Sequence, residues 1–176
     1  MRTGLLIIWS LCFGITSTAQ LYTTQSGKIL VNGKYNDENV AAISNHLHIK
    51  VNYDRSELYM HLEISTLVSG NDSLNRLLQK LAGADMHFSG KMNINYVQTK
   101  SHSKQNFSTT GVLSINGVSI PFSFSSVLEH FPRGNVSCNF NALFTINLNE
   151  FGVGTKPGEN MVNVNFNQLV FKRPGD

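Results

Sequence analysis

The chain has 176 residues, of which 14% are charged and 41% hydrophobic, and its formal net charge is +3. That length suits a single domain, and a weak, scattered positive charge without interleaved aromatic residues excludes a nucleic-acid groove.

The N-terminus reads as an export signal. Arg2 precedes an apolar run from Leu5 to Ile15, and Ser17-Thr18-Ala19 supplies a small-residue cleavage site ahead of Gln20. This run is too short to cross a bilayer, which takes about 20 apolar residues, and no later segment approaches that length. The expected organisation is a cleavable signal over residues 1–19 and one domain over 20–176, periplasmic or secreted. Cys12 would be discarded with the signal, and Trp9-Ser10-Leu11 before it lacks the small residues of a lipidation site. Cys138 is then left without a partner for an internal disulfide, and it falls on the apolar phase of its strand as a buried, inert thiol.

From Tyr22 to Tyr35 the pattern predicts a strand that ends in a turn at Asn32-Gly33. Over Val40 to Asn52, Leu47, Ile49 and Val51 alternate with His46, His48 and Lys50, the signature of a half-buried strand. A turn at Asp54-Arg55-Ser56-Glu57 leads to Leu58, Met60, Leu62 and Ile64 on a paired strand. The period then changes. Leu74, Leu77, Leu78 and Leu81 recur at helical spacing over Ser73 to Ala82, with Asp72 or Ser73 as N-cap and Gly83 as C-cap. A short helix closing one end of a sheet explains this stripe better than a membrane or partner face does.

Alternation returns at Met86, Phe88, Gly90, Met92, Ile94 and Tyr96, followed by a loop over Thr99 to Gln105. Next comes a hairpin around Asn116-Gly117, a pair that supplies the positive φ values of a type I′ turn. Its register sets Ile115 opposite Val118, Leu113 opposite Ile120, Gly111 opposite Phe122 and Thr109 opposite Phe124, all on one face. Two more strands follow, one through Val136, Cys138, Phe140, Ala142, Phe144, Ile146 and Leu148, the other through Val162, Val164 and Phe166. A change of phase at Leu169 and Phe171 predicts a bulge.

Roughly eight antiparallel strands, each with one apolar face, define an all-β fold, sandwich or closed barrel, and the count suits a barrel with one short helix. The outward faces are rich in asparagine, among them Asn139, Asn141, Asn163 and Asn165, which reads as uncharged solvated surface.

A metal centre is the first chemistry to weigh, because His46 and His48 on one strand and His61 on the next have the spacing to present three imidazoles. Pairing Val51 with Met60 and Ile49 with Leu62 sets Lys50 opposite His61 and His48 opposite Glu63, so a cation would stand beside the ligands. That register argues against a metal. Neither Gly-x-Ser-x-Gly nor a glycine-rich phosphate cradle occurs, and carboxylates lie mainly at turns, so no catalytic set is expected.

The barrel interior remains. An eight-stranded closure is just wide enough to be filled by side chains or to hold one small ligand. Small inward residues, among them Gly90, Thr109, Gly111, Ser126, Cys138 and Ala142, leave room beside a lining expected by phase from Phe88, Met92, Phe107, Gly111, Phe122, Phe124, Phe140, Ala142, Phe144 and Phe166. If Val136 pairs with Leu128, Phe122 lies between Gly111 and Ala142 and fills that room. Hollow and filled barrels both stay open.

Several stretches together resemble the YceI-like lipid- and polyisoprenoid-binding family in its short exported form. They are Ser26-Gly27-Lys28-Ile29, Asn39 to Asn45, Met86-His87-Phe88-Ser89-Gly90-Lys91, Gly111 to Pro121 across the hairpin, and Leu148-Asn149-Glu150-Phe151-Gly152-Val153. The resemblance implies a lipocalin-like antiparallel barrel that takes an apolar lipid such as a polyisoprenoid as its partner; it supplies no catalytic residues and does not include His46, His48 and His61, and on the residues alone no metal or cofactor is expected. Two rival readings are a filled barrel acting as a structural or interaction protein without a ligand, and an enzyme built on His46, His48 and His61.

Overall fold

The alternation of apolar and polar residues is realised as nine strands and one α-helix in the structure, a computed structural model that describes residues 21–95, 102–133, 136–153, 156 and 159–170. The expected signal lies outside these residues, as do Tyr96 and Phe171 and the side chain of Cys138. In chain order the elements are β1 (Leu21–Tyr35), β2 (Glu38–Asn52), β3 (Glu57–Glu63), a 3₁₀ turn (Ile64–Thr66), β4 (Val68–Ser69), α1 (Asp72–Lys80) and β5 (Asp85–Met92). They continue with β6 (His102–Ile115), β7 (Val118–Arg133), β8 (Val136–Asn147), a second 3₁₀ turn (Leu148–Phe151) and β9 (Met161–Val170).

Every ladder is antiparallel, and β1 pairs with both β2 and β9, which closes the sheet into an eight-stranded barrel. The two-residue β4 adds to β2 outside the ring. Closure removes the open sheet edges that invite aggregation. Among the described residues no helix is long and apolar enough to cross a membrane.

The β6–β7 hairpin has the register expected from Asn116-Gly117, with Ile115, Leu113, Gly111 and Thr109 opposite Val118, Ile120, Phe122 and Phe124. Asn116 and Gly117 take φ of 50° and 80°, as a type I′ turn requires. Outside, Ser114 and Ser119 hydroxyls lie 2.6 Å apart and those of Thr110 and Ser123 3.1 Å apart. The bulge expected near Leu169 is present, because Phe140 pairs with Leu169 but Ala142 with Phe166.

Three local expectations are corrected. The first hairpin turns at Asn36-Asp37, both at positive φ, and Asn32 and Gly33 stay within β1 opposite Ala41 and Val40. Between β2 and β3 the register is two residues from the expected one: Val51 faces Leu58, Ile49 faces Met60 and His48 faces His61. On the other side of the barrel Leu128 pairs with Phe140 and Ser126 with Ala142, so Phe122 does not lie opposite Ala142. Both register errors are even-numbered. An even slip keeps each side chain on its face, so the apolar pattern alone does not resolve it.

Gly90 and Gly111 face each other across β5 and β6. A Cβ on Gly111 would collide with the Ser89 carbonyl, and one on Gly90 would lie 2.6 Å from the Phe88 ring. These glycines therefore serve backbone approach, and Gly111 is no spare volume for a ligand. Gly111→Ala is expected to cost about 2 kcal/mol or more in urea denaturation, by overpacking, whereas Gly70→Ala, with nothing within 4 Å of its Cβ, leaves the midpoint nearly unchanged.

Candidate ligand cavity

The interior is filled unevenly along the barrel axis. In one layer the inward phenylalanines pack on each other: Phe124 lies 4.7 Å from Phe144 and 5.1 Å from Phe88, Phe122 lies 5.4 Å from Phe144, and Phe140 lies 5.5 Å from Phe166 and 6.0 Å from Phe107. These are ordinary stacked, tilted and edge-to-face aromatic separations. Met92 and Ala142 are buried in the same cluster, and Gly111 lies on the adjoining β6 backbone. All ten residues expected as a lining thus share the inner side of the barrel, with their space largely taken by one another. Two hydroxyls buried in this layer, Thr109 Oγ1 and Ser126 Oγ, have no hydrogen-bond partner among the described residues.

Free space lies at the other end, beneath α1, as a cavity of about 190 Å³. Its floor and walls include Ile29, Val31, Leu62, Met86, Ile115, Ile146 and Val164, and its roof is the stripe Leu74, Leu77, Leu78 and Leu81. Its polar lining is confined to Lys34, Tyr35, Asn116 and Glu159, with Lys34 and Asn116 exposed where the cavity meets water. Alternation marks Leu62, Met86, Ile115, Ile146 and Val164 as inward, and the structure adds Ile29 and Val31. Nothing in that phase gave their depth along the axis.

The helix forms because its apolar spacing matches an α-helical stripe and its ends are capped. Asn71, one residue before the expected caps, is the N-cap: its Oδ1 accepts from the Leu74 N–H at 3.0 Å. Beyond the last turn Gly83 takes φ of 86°, and the Ala84 N–H donates to the Leu81 carbonyl at 2.9 Å. Closing one end of the sheet is the role expected of this helix, yet none of its residues is buried. A leucine stripe over a void is a loosely seated roof, because its apolar area is only half withdrawn from water.

Hydrogen bonds to Ser69 tie that roof down. Asn75 Oδ1 accepts from the Ser69 N–H at 2.8 Å and from the Ser69 hydroxyl at 2.9 Å, and Asn75 Nδ2 donates to the Ser69 carbonyl at 2.9 Å. Ser69 in turn pairs with Ala42 of β2, and its hydroxyl also donates to the Asn71 carbonyl and accepts from the Asn71 N–H, each at 3.1 Å, so Ser69 fastens the start of the helix to the barrel wall. On the rim, Glu159 Oε1 accepts from the Asp37 N–H at 2.6 Å, which ties the segment before β9 to the first hairpin turn.

A closed antiparallel barrel with a packed aromatic layer and a helix-roofed apolar cavity defines the class of small barrel domains. The chain belongs to the YceI-like domain family, whose profile matches residues 16–169. Among solved structures it resembles a polyisoprenoid binding domain from Saccharophagus degradans, implicated in plant cell wall breakdown. The TM-score is 0.68 at 8% identity, covering 89% of this chain and 99% of that one. It also resembles Burkholderia cenocepacia BcnA, with a TM-score of 0.58 at 13% identity over 82% of this chain and 94% of that one. At these identities the likeness shows the fold. No curated protein sequence matches.

Asn75→Ala removes three hydrogen bonds from the roof and none from the barrel. Amide exchange across α1 should accelerate at least tenfold while exchange in β6 and β7 stays unchanged, as expected for local opening.

Proposed function

We propose that the protein is an exported, non-enzymatic carrier that holds an apolar lipid chain of isoprenoid type beneath α1. The observation that carries the reading is the cavity itself, apolar on almost every wall and roofed by four leucines on a helix that buries no residue. Family membership and the polyisoprenoid binding named for the Saccharophagus domain support the ligand class. The pattern of residues 1–19 supports export to the periplasm or beyond.

Burial supplies the driving force: each 100 Å² of chain surface withdrawn from water contributes about 2.5 kcal/mol before association costs. A lipid's polar end would stay at the rim beside Lys34 and Asn116. The void of about 190 Å³ is smaller than the usual drug-sized pocket of about 300–1,000 Å³, so a long chain enters only if α1 swings outward. A leucine stripe that is only half-buried suits such a motion.

A second site has one observation in its favour, the orphan hydroxyls of Thr109 and Ser126, which suit a ligand threaded into the aromatic layer. Native mass spectrometry of tag-free protein, purified by an export route and then incubated with isoprenoid lipids, separates the two. Leu78→Trp, which fills the cavity from the half-buried roof, should reduce bound lipid at least tenfold, and Ala142→Leu should leave it unchanged. The reverse pattern moves the cargo among the phenylalanines. Bare protein from both wild type and variants overturns lipid carriage.

A further inference from the structure

On the outer surface of the barrel the β3–β5 pairing brings His61 beside His87, and the corrected β2–β3 register adds His48 to the row. His48 of β2 faces His61 of β3, and His61 faces His87 of β5, so three imidazoles stand side by side on three hydrogen-bonded strands. Asp85 lies two residues before His87 and therefore on the same face.

We propose that His61, Asp85 and His87, with His48 beside them, form a binding site for a divalent transition-metal ion of the zinc class. The Nε2 atoms of His61 and His87 each lie 3.4 Å from Asp85 Oδ2, and the three donor atoms all lie within 4.8 Å of one another. Zinc bonds of about 2.0–2.2 Å in tetrahedral array need donors roughly 3.3–3.6 Å apart. Both imidazole-to-carboxylate separations already meet that requirement. The nitrogen pair closes by a small rotation of the exposed His87 ring, which now stacks on His61 at 4.5 Å. His48, with its ring 5.9 Å from that of His61, is placed to supply a fourth ligand after a similar rotation.

The two histidine–carboxylate contacts are ion pairs longer than ordinary hydrogen bonds. Charge-assisted N–H to carboxylate bonds run about 2.7–2.9 Å, well short of 3.4 Å. Among the described residues His61 Nε2 is shielded from solvent and makes no hydrogen bond, with the Asp85 carboxylate at 3.4 Å, a pair that a coordinated ion would bridge. Lys50 faces Tyr59 and not His61; it lines the same outer hollow as the three histidines, where its flexible stem lets the ammonium stay in water. Glu63, opposite Asp85, adds negative potential near the site. Mounting the donors on neighbouring strands keeps them close to the productive geometry before any ion arrives.

The test uses tag-free mature protein stripped with a chelator, titrated with Co²⁺ by visible absorption and with Zn²⁺ by calorimetry. One equivalent should bind, with a tetrahedral or five-coordinate Co²⁺ spectrum, and saturating Zn²⁺ should raise the Tm by roughly 5 °C. His61→Ala, His87→Ala and Asp85→Asn should each weaken binding at least tenfold while the apo-protein circular dichroism stays that of wild type. His46→Gln, on the same face but outside the cluster, should bind as wild type does. No stoichiometric uptake, or uptake indifferent to His61, Asp85 and His87, overturns the site. Loss on His46→Gln with retention on His87→Ala assigns the ion elsewhere and overturns it equally.

Discussion

Everything in this protein depends on β1 hydrogen-bonding along both of its edges, to β2 on one side and β9 on the other. That double pairing turns eight strands into a ring with an inside, and the inside of a ring has to be filled, occupied or left empty. Phenylalanine side chains fill one layer of it. At the other end the walls are aliphatic and shorter, the roof is a helix rather than a strand, and the fill stops short. The cavity is thus a property of closure combined with an uneven distribution of large side chains.

The helix is the element whose sequence and structure make most sense together. Four leucines at helical spacing imply an apolar surface to cover, yet α1 only half-buries that stripe and is fastened by hydrogen bonds of Asn71 and Asn75 to Ser69. Few fully buried apolar contacts place an element toward the low-stability end of a structure. Elements that admit ligands are drawn from this low-stability end of a structure, which links the energetics of α1 to the carrier reading.

The outer wall shows how much depends on a register. Pairing Val51 with Met60 would place Lys50 beside His61; pairing Val51 with Leu58, as the chain does, places His48 there, next to the His87 and Asp85 that the β3–β5 ladder supplies. A slip of two positions thus decides whether a lysine or a third imidazole stands beside the β3–β5 cluster. The short loop of residues 53–56, with Ser56 at φ 52° and the Arg55 N–H donating to Asn52 Oδ1, selects the tighter pairing. Its turn chemistry was not read in advance, because no Asn-Gly pair marks it.

The amino-acid sequence by itself determined the all-β class, the in-or-out phase of the strands, the helix, the β6–β7 register and the family. Each of these is local: alternation needs only neighbours along the chain, and Asn116-Gly117 carries its own backbone preference. Tertiary structure alone decided the β2–β3 and β7–β8 registers, the depth of each inward side chain along the barrel axis, and hence which residues meet a void and which meet a ring. Phase has a period of two and is blind to even slips, and depth is set by strand stagger around a closed ring, which no single segment of sequence contains.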